Sequence, residues 1–266
     1  MERTLYECGL FRLGAFRCAP EEPRWRYVNV IRGGPHVVFP LTSAVIQHAG
    51  RDPVLTNPNH VVFYNAGERY RRRLHDAEGD RSLFVDLHPE LLRELAGGRD
   101  DFPFGHGPSA VGSFAMHHTL ARRLHVALLD PLEVEERVLG ALRRVVGDGF
   151  RFHRVRSGRT STQERHRALA EEAKALLTTH VCEHRPLSFF ARALHTSEFH
   201  LARVFRAETG FSLHGYRTQL RLRIALDRLA DGQEVGALAH ELGFASHSHF
   251  TDSFRRVFGV APSRTR

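Results

Sequence analysis

Ser197-Glu198-Phe199-His200-Leu201-Ala202-Arg203-Val204-Phe205-Arg206 returns 49 positions later as Ser246-His247-Ser248-His249-Phe250-Thr251-Asp252-Ser253-Phe254-Arg255. Both copies fit Ser-x-x-His-[Leu/Phe]-x-x-x-Phe-Arg, and each follows an Ala-x-x-Leu step, Ala191/Leu194 and Ala239/Leu242. A short helix, a tight turn and a second helix capped by Ser is the expected outcome, a helix-turn-helix, here in two tandem copies. At about 100° per residue, Leu201, Val204 and Phe205 share the inward face of the first capped helix, with Phe199, Ala202, Arg203 and Arg206 opposite. In the second, Phe250, Phe254 and Val257 form the inward stripe and Ser248, Thr251, Asp252 and Arg255 point out. An outward Phe beside two outward Arg suits a major groove, where Phe meets a thymine methyl and Arg the O6/N7 edge of guanine. The bland alternative packs Phe199 on a neighbouring helix and leaves the arginines solvated.

Around these copies, residues 168–266 resemble the DNA-binding domain of AraC/XylS-type bacterial transcription regulators. The resemblance is carried by Ala191, Leu194, Ser197, Leu201, Arg203, Phe205, Thr209-Gly210, Tyr216, Leu220-Arg221, Ala225 and Leu229. Its second half adds Ala239, Leu242-Gly243-Phe244, Ser246, Phe250, Phe254-Arg255, Phe258-Gly259 and Pro262-Ser263. It implies seven helices, two reading helices in adjacent major grooves and a rigid helix between them; it also implies a contact with RNA polymerase. Four positions depart from the family pattern. His195 stands where the first turn usually has Gly, Ala202 where a polar reader is common, Asp252 where a cation is frequent, and Thr265 where Tyr is usual.

The chain has 266 residues, room for two domains with separate cores. Lys and Arg number 38 against 30 Asp and Glu, a net charge of +8 that favours a polyanionic partner without identifying it. Three scattered cysteines, Cys8, Cys18 and Cys182, make neither a disulfide framework nor a Cys-rich zinc site, which predicts a reducing cytoplasm. No charged-then-apolar leader stands out, and no apolar run nears the roughly 20 residues that span a bilayer, so no membrane partner is expected.

From Trp25 to His88, short Val-, Ile-, Phe- and Tyr-rich runs alternate with Gly/Pro turns: 27–32, 36–41, 44–47, 60–64, 70–74 and 82–87. They predict a small barrel or a double sheet. The resemblance favours a cupin-like barrel holding a small-molecule effector, through Asn57-Pro58-Asn59-His60, Asn65-Ala66-Gly67-Glu68 and Gly79-Asp80. Along 61–64 the alternation puts Val61 and Phe63 on one face and Val62 and Tyr64 on the other, without saying which is inside. Along 69–74, Arg69, Arg71 and Arg73 alternate with Tyr70, Arg72 and Leu74; an inward arginine suits an acidic effector, an outward one is solvated. Helices are expected at 90–96, 111–129 and 132–146. Leu120, Leu124 and Leu128, and Val134, Val138, Leu142 and Val145, form stripes that either seal the open face of the barrel or, as the resemblance implies for a helical hairpin, pair two copies as a homodimer. Arg151, Arg154, Arg156 and Arg159, among Ser157, Gly158, Thr160, Ser161 and Thr162, read as a flexible basic linker.

The expected fold is therefore α+β. An effector-binding or dimerisation domain occupies 1–150 as a cupin-like β-barrel with a helical hairpin, a linker 151–163, and an all-α DNA-binding domain 164–266 with helix-turn-helix motifs at 187–208 and 235–258. In that last domain Leu213, Tyr216, Leu220 and Leu229 of the connecting helix pack while Arg217, Arg223 and Arg228 stay wet. The connecting helix, some 18 residues at about 1.5 Å each, gives roughly 27 Å of rod, close to the ~34 Å between successive major-groove faces. The expected DNA contacts are Phe199, Arg203 and Ala202 with Ser197 at the cap. In the second motif they are Ser248, Thr251 and Asp252 with Ser246 and His247 at the start. Arg206, Arg255 and Arg256 hold phosphates.

The 19 histidines raise a metal hypothesis that spacing does not support. His60, His75 and His88 are isolated, His247/His249 lie on a reading helix, and neither His180-Cys182-His184 nor His117-His118 with His125 favours zinc over a wet surface. No Gly-x-Ser-x-Gly, phosphate-cradling glycine loop or close carboxylate pair stands out, so no catalysis and no cofactor are expected. The reading is a sequence-specific regulator, activator or repressor. Its rivals are a metal-dependent cupin enzyme fused to a DNA-binding domain, and a regulator with a ligand-free N-terminal domain controlled by partner proteins.

Overall fold

The computed structural model describes residues 1–126, 130–154 and 161–265, apart from the side chains of His117, Arg122, Arg123, His125, Val126 and Arg154. The stripe position Leu128 and the linker residues Arg156, Ser157, Gly158, Arg159 and Thr160 lie outside those described, as do the side chains of the His117/His125 grouping and of Arg154. The chain divides into two compact units, Met1–Val155 and Arg156–Arg266.

The N-terminal unit holds two antiparallel sheets. The larger is built from β1 (Glu2–Glu7), β2 (Phe11–Cys18), β4 (His36–Pro40), β7 (His60–Tyr64), β9 (Asp80–Leu87) and β10 (His106–Pro108), in the order β1-β2-β9-β4-β7-β10. The smaller orders β3 (Asn29–Val30), β8 (Arg69–Leu74), β5 (Ala44–His48) and β6 (Val54–Thr56) as β3-β8-β5-β6. The expected closed barrel is thus corrected to two stacked sheets. After β4 the chain crosses to the small sheet for β5 and β6, returns for β7, and crosses again for β8, so consecutive strands are shared between layers and no ladder joins them.

Strand β7 decides the layering. All five of its residues are buried, because Val61 and Phe63 enter one core while Val62 and Tyr64 enter another. The first core lies against helices α1 (Pro89–Leu95), α2 (Val111–Val126) and α3 (Pro131–Arg154), where Leu91, Leu92, Leu120, Val134, Val138, Leu142 and Val145 are buried. The second lies between the sheets, with Ala44, Ile46, Tyr64 and Tyr70. The α3 stripe that offered itself to a second copy is therefore consumed inside the unit. Helix α3 also runs on to Arg154, past the expected linker start, and the next helix begins at Ser161. Gly147 and Gly149 do not break the helix; Gly149 is instead a place of tight packing, where a Cβ would sit 2.7 Å from the Phe104 ring.

Among the described residues of the C-terminal unit six α-helices follow, where the resemblance implies seven helices: α4 (Ser161–Thr179), α5 (Leu187–Ala193), α6 (Glu198–Thr209), α7 (Leu213–Ala230), α8 (Val235–Glu241) and α9 (His247–Phe258), with a single 3-10 turn at Pro262–Arg264 after them. Ala173, Leu177, Phe190, Leu201, Phe205, Leu213 and Tyr216 form one core around the first motif. Helix α7 is buried on most of its circumference: Leu220, Leu222, Ala225, Leu226 and Leu229 are all inside, and so are Arg221 and Arg223. The expectation that Arg223 stays wet is corrected; it is 2% exposed, since helices packed on several sides of α7 leave it no solvated face. Among the described residues no helix is long and apolar enough to cross a membrane.

Candidate nucleic-acid interface

Both motifs close their turn in the same way. After α5, the His195 amide donates to the Arg192 carbonyl and the Thr196 amide to that of Ala191; after α8, Gly243 and Phe244 do the same to His240 and Ala239. This pair of hydrogen bonds needs a left-handed residue at the turn. Gly243 supplies φ +69°, and His195, in the first copy, takes φ +50°, the only non-glycine with positive φ among the described residues. The second turn then has one more residue before its cap, which explains why the repeat offset changes from 48 before the turn to 49 after it.

The two readers are built alike. Helices α6 and α9 each have 12 residues. Ser197 accepts from the His200 amide at 3.2 Å and Ser246 from the His249 amide at 3.1 Å. Gly210 and Gly259 end them in left-handed conformation. The two serine hydroxyls are thus engaged in capping, where each satisfies an otherwise orphaned backbone donor.

Outward faces follow from the inward ones. Leu201, Val204 and Phe205 are buried, as are Phe250, Ser253 and Phe254, while Val257 is half-buried. On α6 this leaves Arg203 and Arg206 exposed and Phe199 79% exposed, so its ring packs on no neighbouring helix. Arg203 Nη2 donates to His200 Nδ1 at 3.3 Å, which leans the guanidinium back along its own helix. Ala202 is half-buried against the core and offers only a methyl edge. On α9, His247, Ser248, Asp252, Arg255 and Arg256 are exposed. Thr251 differs from expectation: it is half-buried, and its Oγ1 is buried with no hydrogen-bond partner among the described residues. Among the described residues Arg206, Asp252, Arg255 and Arg256 form no salt bridge, so their charges stay available to a partner.

Helix α7 carries both motifs. Its 18 residues, about 1.5 Å each, give roughly 27 Å. Ser212 caps its start by accepting from the Gly215 amide at 3.0 Å. Arg221, buried on this rod, donates to the carbonyls of Val181, Glu183 and Gly243, tying the exit of α4 to the second turn. Arg217 reaches the carbonyls of Glu183 and Arg185. The family resemblance includes Arg221 without giving it a role, and only the fold shows that it holds the motifs together.

A second feature, in the N-terminal unit, is a cavity of about 480 Å³ between the two sheets, lined among others by Phe16, His36, Tyr64, Arg72, Asp80, Ser82 and Phe84. Of the β8 arginines, Arg69, Arg71 and Arg73 are exposed and Arg72 is the inward one, 5% exposed and bonded to Asp80 at 2.8 Å. Burial pushes the Asp80 carboxyl above its ordinary value, opposed by the Arg72 charge. Among the described residues no group of three His, Cys, Asp or Glu side chains is placed to hold a metal ion.

Residues 190–266 match a protein family described as a helix-turn-helix domain. The HTH-type transcriptional regulator RipA of Corynebacterium diphtheriae is 31% identical over 171 residues, which is 61% of this chain and 49% of that protein. NimR, an HTH-type transcriptional regulator of Escherichia coli, is 41% identical over 68 residues, 26% of this chain and 25% of its own. The transcriptional activator RhaR of Pectobacterium carotovorum is 37% identical over 78 residues, 29% and 28% of the two chains. The chain thus spans half or less of the length of these curated relatives.

Proposed function

Because the chain belongs by its C-terminal unit to the AraC/XylS family of transcription regulators, we propose that it reads one asymmetric duplex site with α6 and α9 in successive major grooves. The observation that carries this reading is the pair of equal, serine-capped helices on one buried rod, each with a polar or charged face free of salt bridges. Phe199 and Arg203 read bases on one side: the ring takes a thymine methyl and the guanidinium a guanine edge. Ser248 and Asp252 read on the other, Asp252 accepting from the cytosine N4 amine and repelling poorly placed phosphate. Arg206, Arg255, Arg256 and the amino ends of the helices hold the backbone. Thr251 and Ala202 shape these surfaces by packing. Because the two faces differ, the site has two unlike halves and needs no palindrome.

The protein acts in the cytoplasm on transcription, in contact with RNA polymerase as the family resemblance implies, and performs no catalysis. The N-terminal unit modulates it through a small molecule held between the sheets; the supporting observation is the cavity with its buried Arg72–Asp80 pair. Selection of bound sequences from random duplex DNA by the full chain tests the reading. Enrichment of one bipartite, non-palindromic site supports it, and a pool that stays random, or uniform binding of every duplex, overturns it.

A further inference from the structure

The inter-sheet cavity is more specific than a generic effector pocket, because its polar groups are unequally satisfied. Arg72 Nη1 donates to Asp80 and Nη2 to the Tyr70 hydroxyl, and the guanidinium carbon lies 4.5 Å over the Phe16 ring. Its Nε is buried with no hydrogen-bond partner among the described residues. Tyr64 and Ser82, each about 5% exposed, also line the cavity and bring a hydroxyl group each. His36 gives its Nδ1 hydrogen to the Gly34 carbonyl at 2.8 Å, leaving Nε2 as an acceptor in the neutral ring. Burial holds His36 below its ordinary value, on the neutral side near pH 7.

Those groups discriminate by charge. Arg72 already gives one Nη1 hydrogen to a carboxylate, so a second anion at this guanidinium would share a charge that Asp80 neutralises. An anion there also faces Asp80 across the same guanidinium, and the interior pair Arg72–Asp80 already sums to zero. The remaining charged lining residues, Glu2, Arg24 and Arg32, lie toward solvent rather than in the interior. A hydroxyl, by contrast, both donates and accepts, matching the buried Nε–H, two hydroxyls and an imidazole nitrogen. Phe16, Tyr64 and Phe84 add ring faces for a flat apolar surface, and the volume is ordinary for a small-molecule site.

We propose that this cavity binds an uncharged ring compound bearing hydroxyl groups, with Arg72, Tyr64 and Ser82 bonding to those hydroxyls. The inference rests on the proposed role of the N-terminal unit as a small-molecule sensor and names the class of molecule it senses.

Calorimetric titration of the full chain with catechol, inositol and protocatechuate tests it, protocatechuate being catechol with one carboxylate added. At least one neutral ring binds saturably below about 10 mM, and protocatechuate binds at least about tenfold more weakly than catechol. Tyr64→Phe and Ser82→Ala each weaken the neutral ligand about three- to tenfold, and leave the unfolding temperature within a few degrees of the parent. Tighter binding of protocatechuate, no saturable binding of either neutral ring, or indifference to both hydroxyl deletions overturns the proposal. Duplex binding by the same preparation is scored separately. If DNA is bound and neutral rings are not, the sensor inference falls and the DNA reading stands. If neutral rings are bound and DNA is not, the DNA reading falls and the sensor inference stands.

Discussion

Arg221 Nη1 donates to the carbonyl of Gly243 at 2.6 Å, and the same guanidinium holds Val181 at 2.6 Å and Glu183 at 3.1 Å through Nε and Nη2. One side chain on the connecting rod thus fixes the turn of the second motif and the exit of α4. Arg221→Met removes three charge-assisted bonds and strands three carbonyls, so it should cost about 2–4 kcal/mol of stability. Gly243→Ala should cost at least about 2 kcal/mol, since its φ is +69° and its Cβ would meet the Cys182 carbonyl oxygen at 2.4 Å. Urea denaturation followed by circular dichroism checks both; midpoints equal to the parent would contradict this role of the turn.

His195 carries left-handed strain that Gly243 avoids. His195→Gly should therefore stabilise the chain by about 1 kcal/mol, raising its melting temperature by a few degrees, with duplex affinity unchanged. A loss of stability would mean that the exposed imidazole makes a favourable contact the backbone geometry does not reveal.

The reading faces yield a graded series. Arg203→Ala should cost about 1–3 kcal/mol of binding and relax preference at one base position, as a lost base contact does. Asp252→Ala should bind tighter on all duplexes and discriminate less, because it removes a repulsion with phosphate together with a base contact. Thr251→Val should leave sequence preference intact and raise stability by up to about 1 kcal/mol, its Oγ1 being buried without a partner among the described residues. Anisotropy titrations on the selected site and on single-base variants separate these outcomes. Uniform weakening by Arg203→Ala would make it a phosphate contact.

In the N-terminal unit, Glu68 accepts from His48 Nδ1 at 2.7 Å and from the Asn65 amide at 2.7 Å. Burial pushes this carboxyl up, and the bonds from His48 and Asn65 pull it below its ordinary value of 4.5. A carboxyl lowered in the folded state contributes its full stability above pH 4.5 and loses it as pH falls through the lower, folded value. Glu68→Gln should therefore be about 1 kcal/mol less stable than the parent at neutral pH, with the two converging in acid. A constant difference across that window would show that charge plays no part.

The C-terminal unit is legible in the sequence because its signals are local. Ser197 and Ser246 cap, Gly210 and Gly259 stop, and the apolar positions between them repeat at helical spacing, so each reader declares its own length and inward face. His195 is visible too, since the second copy shows Gly at that place. Long-range placement is not. Nothing around Arg223 distinguishes a wet arginine from a buried one, because its surroundings come from helices distant in sequence. Strands β1 and β2 are hidden for two reasons: β1 is mostly exposed and carries no burial pattern, and β2 is interrupted by Gly14. That glycine lets the Phe84 ring lie where its Cβ would be, at 2.3 Å, a requirement set by a strand distant in sequence. The same holds for the cavity. Asp80, Ser82 and Phe84 share one face of β9 by simple alternation, but Arg72 meets them only when the two sheets stack.

Spacing is the most direct test of two readers fixed on one rod. Once the bipartite site is selected, about five base pairs inserted between its halves turn the second half to the opposite side of the duplex. A rigid α7 predicts that affinity of the full chain falls toward non-specific binding, at least about 100-fold, and that an insertion of about ten base pairs does not restore it, because roughly 27 Å of helix cannot reach another full turn. Affinity unchanged by the half-turn insertion would show that α6 and α9 do not read the duplex together, and would contradict the account.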